Sequence, residues 1–144
     1  MKEKDTSSKT SQLATSKKTL EAARDAYYFG KRMLTDARKA AEEGRPVAWT
    51  MGDLWLGGAI ILKAMGVEVI YTENYGAYSA SRRGGIAQRY IDYAVSDGFP
   101  TTLCGYAMNC LGYTRLFKEN NWVVPEGAPG GGLPKPVVLM ARGG

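Results

Sequence analysis

The sequence predicts an α/β fold in which a long amino-terminal helix precedes a doubly wound parallel sheet. Apolar residues recur at helical spacing over residues 17–43. Short apolar runs at 47–50 and 67–71 are typical of buried parallel strands, and a helix-length segment separates them. Parallel strands need such a crossover, which is nearly always right-handed.

The composition describes one globular domain. The chain has 144 residues, of which 44% are hydrophobic and 23% charged. There is no run of about 18 apolar residues and no hydrophobic signal region at residues 1–10, so we expect a cytoplasmic protein without membrane insertion. The formal net charge is +5, but the basic residues are scattered, which argues against a nucleic-acid partner.

Three segments follow one another along the chain. Residues 1–15 are rich in Ser, Thr and Lys, typical of a mobile lead-in. Residues 16–44 form the long helix, with Ser16 as its cap and Gly44 at its end. Its narrow apolar stripe favours packing against a larger body over a coiled-coil seam. Residues 45–144 form the α/β lobe.

A strand–helix–strand unit opens that lobe. Asp53 can cap a helix over 54–65, and Gly66 can close it before the second strand. Ligands of doubly wound sheets gather beyond the carboxyl ends of the strands. Segments 50–53 and 72–76 follow the two strands, so we expect both to rim one crevice.

The rest of the lobe contains arginines, glycines and a third apolar run. Arg82, Arg83 and two glycines precede a predicted helix over 86–96, and such a helix start can bind phosphate, although solvated surface charge is the simpler explanation. The Gly- and Pro-rich stretch 125–136 predicts a loop or hinge and lacks the ending of a P-loop. Residues 137–140 predict another buried strand.

Cys104 is the most informative single residue, because it lies at the start of a predicted helix over 104–118. The unpaired N–H groups there favour a thiolate, which ligates metals and attacks electrophiles. A small buried apolar residue is the plainer interpretation. Cys110 follows six positions on, so its sulfur points about 120° away and stands roughly 9 Å along the axis, which disfavours a shared metal or a disulfide.

Histidine is absent from the sequence. The chain therefore cannot supply a Cys–His or Ser–His pair, or a histidine ligand to zinc. It also lacks a Cys-x-x-Cys pair, which disfavours a zinc or redox thiol protein.

Three motifs together resemble the 2-hydroxyacyl-CoA dehydratase and benzoyl-CoA reductase family. They are Val-Ala-Trp-Thr at 47–50, Glu-Asn-Tyr-Gly-Ala at 73–77 and Leu-Cys-Gly-Tyr-Ala-Met-Asn at 103–109. The resemblance spans residues 20–144 and keeps motif order and spacing. Members of the family are considerably longer, so the resemblance implies an amino-terminal portion with an incomplete domain, the first of two α/β lobes.

The resemblance also implies a site and its partners. Cys104 matches the first of three cysteines that hold a 4Fe-4S cluster, with the other ligands beyond this chain, whereas Cys110 matches no ligand position. The substrate is a CoA thioester. The implied partners are a homologous cluster-bearing subunit, ATP-hydrolysing electron-activating subunits and a ferredoxin-type donor; the chain itself uses no ATP. We assign no catalytic residue, and the candidate substrate-binding residues are Thr50, Glu73, Asn74 and Tyr75.

For the residues at 73–75, Asn74 is expected to orient a carbonyl and Tyr75 to donate a proton, whereas a capping or turn role explains them equally well. Within the family, one branch reduces the aromatic ring of benzoyl-CoA in anaerobic aromatic degradation, and the other removes water from 2-hydroxyacyl-CoA. The long helix and the residues at 105–110 and 133–139 favour a benzoyl-CoA reductase subunit. We expect this chain to be inactive on its own. A non-catalytic CoA-binding or assembly module is the alternative from another class.

Overall fold

The computed structural model describes residues 20–51, 57–82 and 84–140. Within them it has an α/β architecture of five α-helices and three strands, with a short 3-10 turn at Pro129–Gly131. In chain order the elements are α1 Glu21–Glu42, β1 Val47–Thr50, α2 Gly58–Ala64, β2 Glu68–Tyr71, α3 Thr72–Ala80, α4 Ile86–Ser96, α5 Gly105–Glu119 and β3 Val138–Met140.

The chain divides into two compact units inside α1, residues 1–30 and 31–144. The described part of the first unit, residues 20–30, is the amino-terminal half of α1. The second unit holds the rest of α1 and every later element. The predicted end of the long helix is confirmed, with Gly44 in the left-handed conformation at φ 72°, which glycine adopts without a Cβ penalty. Its predicted cap, Ser16, and the lead-in 1–15 lie outside the described residues.

The sheet is parallel and has the order β2-β1-β3. Trp49, in the central strand, lies opposite Ile70 on one side and Leu139 on the other. All four residues of β1 are buried. The predicted strand–helix–strand unit and the third strand are therefore confirmed.

The core is an aromatic cluster on the Trp49 face of the sheet. Trp49 stacks on Phe117 of α5, with ring centroids 6.3 Å apart. Tyr113 of α5 packs beside both rings. Tyr75 of α3 and Tyr90 of α4 meet Tyr113 edge-on, at 5.2 Å and 5.6 Å. Edge-to-face geometry suits aromatic quadrupoles, so three helices converge on one ring.

Two glycines let α5 approach its neighbours closely. A Cβ added at Gly112 would overlap the backbone carbonyl of Tyr90 in α4. A Cβ added at Gly76 in α3 would lie 2.7 Å from the carbonyl oxygen of Tyr106. These contacts fix the amino end of α5 beside α3.

Two predictions need correction, and one helix that was not predicted follows β2. The helix predicted over 54–65 begins at Gly58, after Gly57 with φ 64°, and its predicted cap Asp53 lies outside the described residues. Residues 72–76, to which no helix or strand is assigned from the sequence, form the start of α3. The strand expected to be buried is exposed, with Leu139 74% accessible, and among the described strands β3 lies at the sheet edge and pairs with β1 alone.

None of the helices within the described ranges combines the length and the apolar character that crossing a bilayer requires.

Candidate functional site

The carboxyl ends of β1 and β2 meet side by side, as the parallel register requires. The hydroxyl of Thr72 donates a hydrogen bond to the Thr50 carbonyl at 3.2 Å, which ties the two strand ends together. The Thr50 hydroxyl donates to the Met51 carbonyl at 3.0 Å. We call Thr50, Thr72, Glu73, Cys104 and Cys110 the strand-end site.

Cys110 reaches this site from α5. Its thiol donates a hydrogen bond to the Thr72 carbonyl at 2.9 Å. Burial raises the pKa of Cys110 to about 11, although a hydrogen bond from the Gly76 N–H partly opposes that rise. At neutral pH Cys110 is therefore a protonated thiol that joins α5 to the end of β2.

Cys104 is the N-cap of α5, one position before the helical turn in which the sequence places it. Its φ of −51° and ψ of 128° are non-helical, and its carbonyl accepts the Met108 N–H at 2.9 Å. The residue is exposed and its thiol is free. The first N–H groups of α5 have no partner inside the helix, so they leave partial positive charge beside this sulfur.

The two cysteines and Glu73 are electrostatic neighbours. Negative charge on Cys104 or Glu73 raises the pKa of Cys110 further, after the larger effect of burial. Like charges that are close in space disfavour one another's ionised forms. The strand-end site therefore accommodates a single thiolate more readily than two.

The four candidate substrate residues separate into two pairs. Glu73 and Asn74 are exposed in the first turn of α3, where a carboxylate also suits the helix dipole. Thr50 and Tyr75 are buried, at 3% and 2% exposure. Burial strongly raises the pKa of Tyr75, whose ring belongs to the core. Its hydroxyl is buried as well.

The donor set for a metal is partial. Across residues 20–51, 57–82 and 84–140, no three His, Cys, Asp or Glu side chains are placed to hold a metal ion together. Cys104 contributes one accessible sulfur. A cluster held at this site needs further sulfurs from outside the described residues.

Two residues that contribute to the strand-end site are not predicted from the sequence. Thr72 supplies a carbonyl to one thiol and a hydroxyl to the neighbouring strand. Gly76 supplies an N–H and permits the close approach of Tyr106. Of these two contributors, only Gly76 is indicated by the sequence, as a glycine three positions after the charged residue Glu73.

These features define an α/β protein with a parallel sheet and an accessible cysteine at the carboxyl edge of that sheet. No protein-family model matches the chain, and comparison with curated proteins finds no match either. The family resemblance therefore rests on the three motifs at 47–50, 73–77 and 103–109.

Proposed function

We propose that the chain is the amino-terminal part of a benzoyl-CoA reductase subunit, and that Cys104 is one of three cysteines holding its 4Fe-4S cluster. The observation that carries the proposal is the position of Cys104, exposed at the start of α5 and beside the strand ends. Ligands of doubly wound sheets gather at that edge. The described strands would then belong to a larger doubly wound sheet.

The two thiols would have different tasks. Cys104 is accessible, and it lies beside the unpaired N–H groups at the start of α5. Cys110, with its pKa raised to about 11, stays protonated and keeps its hydrogen bond to Thr72. It therefore does not compete for the metal but holds the Cys104 helix against β2.

The resemblance supplies the chemistry. When bound, such a cluster delivers low-potential single electrons to a CoA thioester, while ATP is hydrolysed by partner subunits. Asn74, exposed in the first turn of α3, is available to donate its amide N–H to the thioester carbonyl. Glu73 beside it is available to accept a hydrogen bond from the substrate.

The test compares the two cysteines in the intact complex, purified without oxygen. Iron, acid-labile sulfide and the visible spectrum are measured for wild type, Cys104→Ser and Cys110→Ser. We expect Cys104→Ser to lose cluster iron and Cys110→Ser to retain it, because serine preserves a donor toward Thr72. Equal iron in wild type and Cys104→Ser would refute the assignment.

The substrate decides between the two branches of the family. The complex is supplied with ATP, a strong reductant and either benzoyl-CoA or a 2-hydroxyacyl-CoA. We expect ring-reduced product from benzoyl-CoA. A dehydrated product from the hydroxyacyl thioester alone would instead assign the chain to the dehydratase branch.

One observation favours a second candidate, a non-catalytic CoA-binding or assembly module. Several apolar side chains of α2 and the β3 edge are more than half exposed, namely Ile60, Ile61, Met65, Val137 and Leu139. Exposed apolar side chains of this kind are typical of surfaces that another protein covers. This candidate predicts an iron-free chain that still associates with its partner, so the iron measurement also discriminates the two functions.

A further inference from the structure

A cleft lies between the end of α3, the start of α4 and the Gly- and Pro-rich loop. Its volume is about 540 Å³. Small-molecule sites commonly measure roughly 300–1,000 Å³. Tyr78 and Arg82 line it from the α3 side, and Ile86 and Arg89 line it from α4. It is separate from the strand-end site, because α3 has one end at each.

The cleft presents two guanidinium groups. Arg82 lies over the Tyr78 ring, 4.1 Å from its centroid. Among the ion pairs of the described residues, none involves Arg82 or Arg89. Glu126 contributes one carboxylate to the described lining, so the arginines leave it a net positive charge.

The walls of the cleft are held in place. Arg38 of α1 donates a hydrogen bond to the carbonyl of Gly130, a lining residue of the loop. On the α4 side, Gly85 is left-handed at φ 74°, and no side chain caps the helix. Arg89 is the first residue of this turn whose N–H donates a hydrogen bond within the turn, to the Gly85 carbonyl at 3.0 Å. Residues 86–88 therefore have N–H groups without an intrahelical partner.

We propose that this cleft binds the phosphate monoester of a small organic molecule. Guanidinium groups bind phosphate through paired, charge-assisted hydrogen bonds. Tyr78 and Ile86 provide apolar surface for the organic part, for which the cleft has room beyond a phosphate group. Glu126 is placed to accept a hydrogen bond from a hydroxyl or amine of the same ligand. The proposal is independent of the role of Cys104.

The test titrates the full chain with adenosine monophosphate, adenosine and inorganic phosphate, using calorimetry and amide chemical shifts. We expect the monophosphate to bind, adenosine not to bind, and the largest shifts at residues 84–89. Arg89→Gln is expected to weaken the monophosphate affinity about tenfold, the loss of one charged hydrogen bond. Arg32→Gln, which removes an exposed arginine of α1, is the matched control and should leave the affinity unchanged.

Each result has a defined meaning. Inorganic phosphate that binds as tightly as the monophosphate would support phosphate recognition and assign the free ion as the ligand. Failure of both anions to bind at millimolar concentration would overturn the proposal. Equal losses in Arg89→Gln and Arg32→Gln would overturn it too, as would shifts of the wild-type protein that lie away from residues 84–89.

Discussion

Alkaline pH should destabilise the protein through Cys110. In the folded chain the thiol donates to the Thr72 carbonyl at 2.9 Å, and burial raises its pKa to about 11. A cysteine in an unfolded chain titrates near about 8.5. Between these values the unfolded state binds fewer protons than the folded state, so stability falls as pH rises. The contribution of the thiol is fully present below about pH 8.5 and is lost on approach to pH 11.

The size of the effect follows from the two pKa values. A difference of about 2.5 units corresponds to about 3 kcal/mol when fully developed. By about pH 10 roughly 2 kcal/mol of this is lost, because the unfolded thiol is ionised and the folded one is not. Burial also raises the pKa values of Tyr75, Tyr90 and Tyr113. These tyrosines act in the same direction, and because an unfolded tyrosine has a pKa of about 10, the three together cost about 1 kcal/mol by that pH.

The assay is urea unfolding between about pH 7.5 and about pH 10, with the free energy of unfolding compared for three proteins. Wild type and Cys104→Ser should both lose about 2 kcal/mol more than Cys110→Ser over this range, because the tyrosine contribution is common to all three proteins. Cys110→Ser should lose only the tyrosine contribution of about 1 kcal/mol, because serine does not titrate there. A Cys110→Ser variant that falls as steeply as wild type would show that another group is responsible and would refute the reasoning.

Two substitutions test the core, each with a matched control, by urea unfolding at neutral pH. Gly112→Ala should cost about 1–3 kcal/mol, since its Cβ overlaps the Tyr90 carbonyl, whereas Gly105→Ala meets open space and should be near neutral. Tyr113→Phe should cost about 2–3 kcal/mol, because the Tyr113 hydroxyl pairs with both the carbonyl and the N–H of Leu133. Tyr90→Phe removes a buried hydroxyl that has no hydrogen-bond partner among the described residues, and it should change little. Equal effects within either pair would contradict the assignment of these contacts.

Local signals in the sequence predict much of the fold. Gly44 marks the end of α1, and the run from Ile86 to Ser96 predicts the observed bounds of α4. The strands follow from short β-branched and apolar runs between helices. In contrast, α3 has almost no apolar periodicity, because polar and apolar residues occur on both its buried and its exposed faces. Its helical character comes from packing against α5 at Gly76, which a linear pattern does not contain.

The same distinction holds for the candidate site. The position of Cys104 at a helix start follows from Pro100 and the spacing after it, and the structure differs by one residue. The partner of Cys110 lies 38 positions away in the chain, so no local pattern indicates it. The orientation of Tyr75 also depends on tertiary packing, because the helical backbone of α3 directs its ring toward Tyr113.

The hydroxyl of Tyr113 connects α5 to the Gly- and Pro-rich loop. The helix has 15 residues, from Gly105 to Glu119, and at about 1.5 Å per residue it acts as a rod about 22 Å long. Its amino end follows Cys104. Near its middle, the hydroxyl of Tyr113 makes two hydrogen bonds to the main chain of Leu133. A displacement of α5 would therefore be passed through Leu133 to the Gly- and Pro-rich loop, part of which lines the cleft beside α3 and α4.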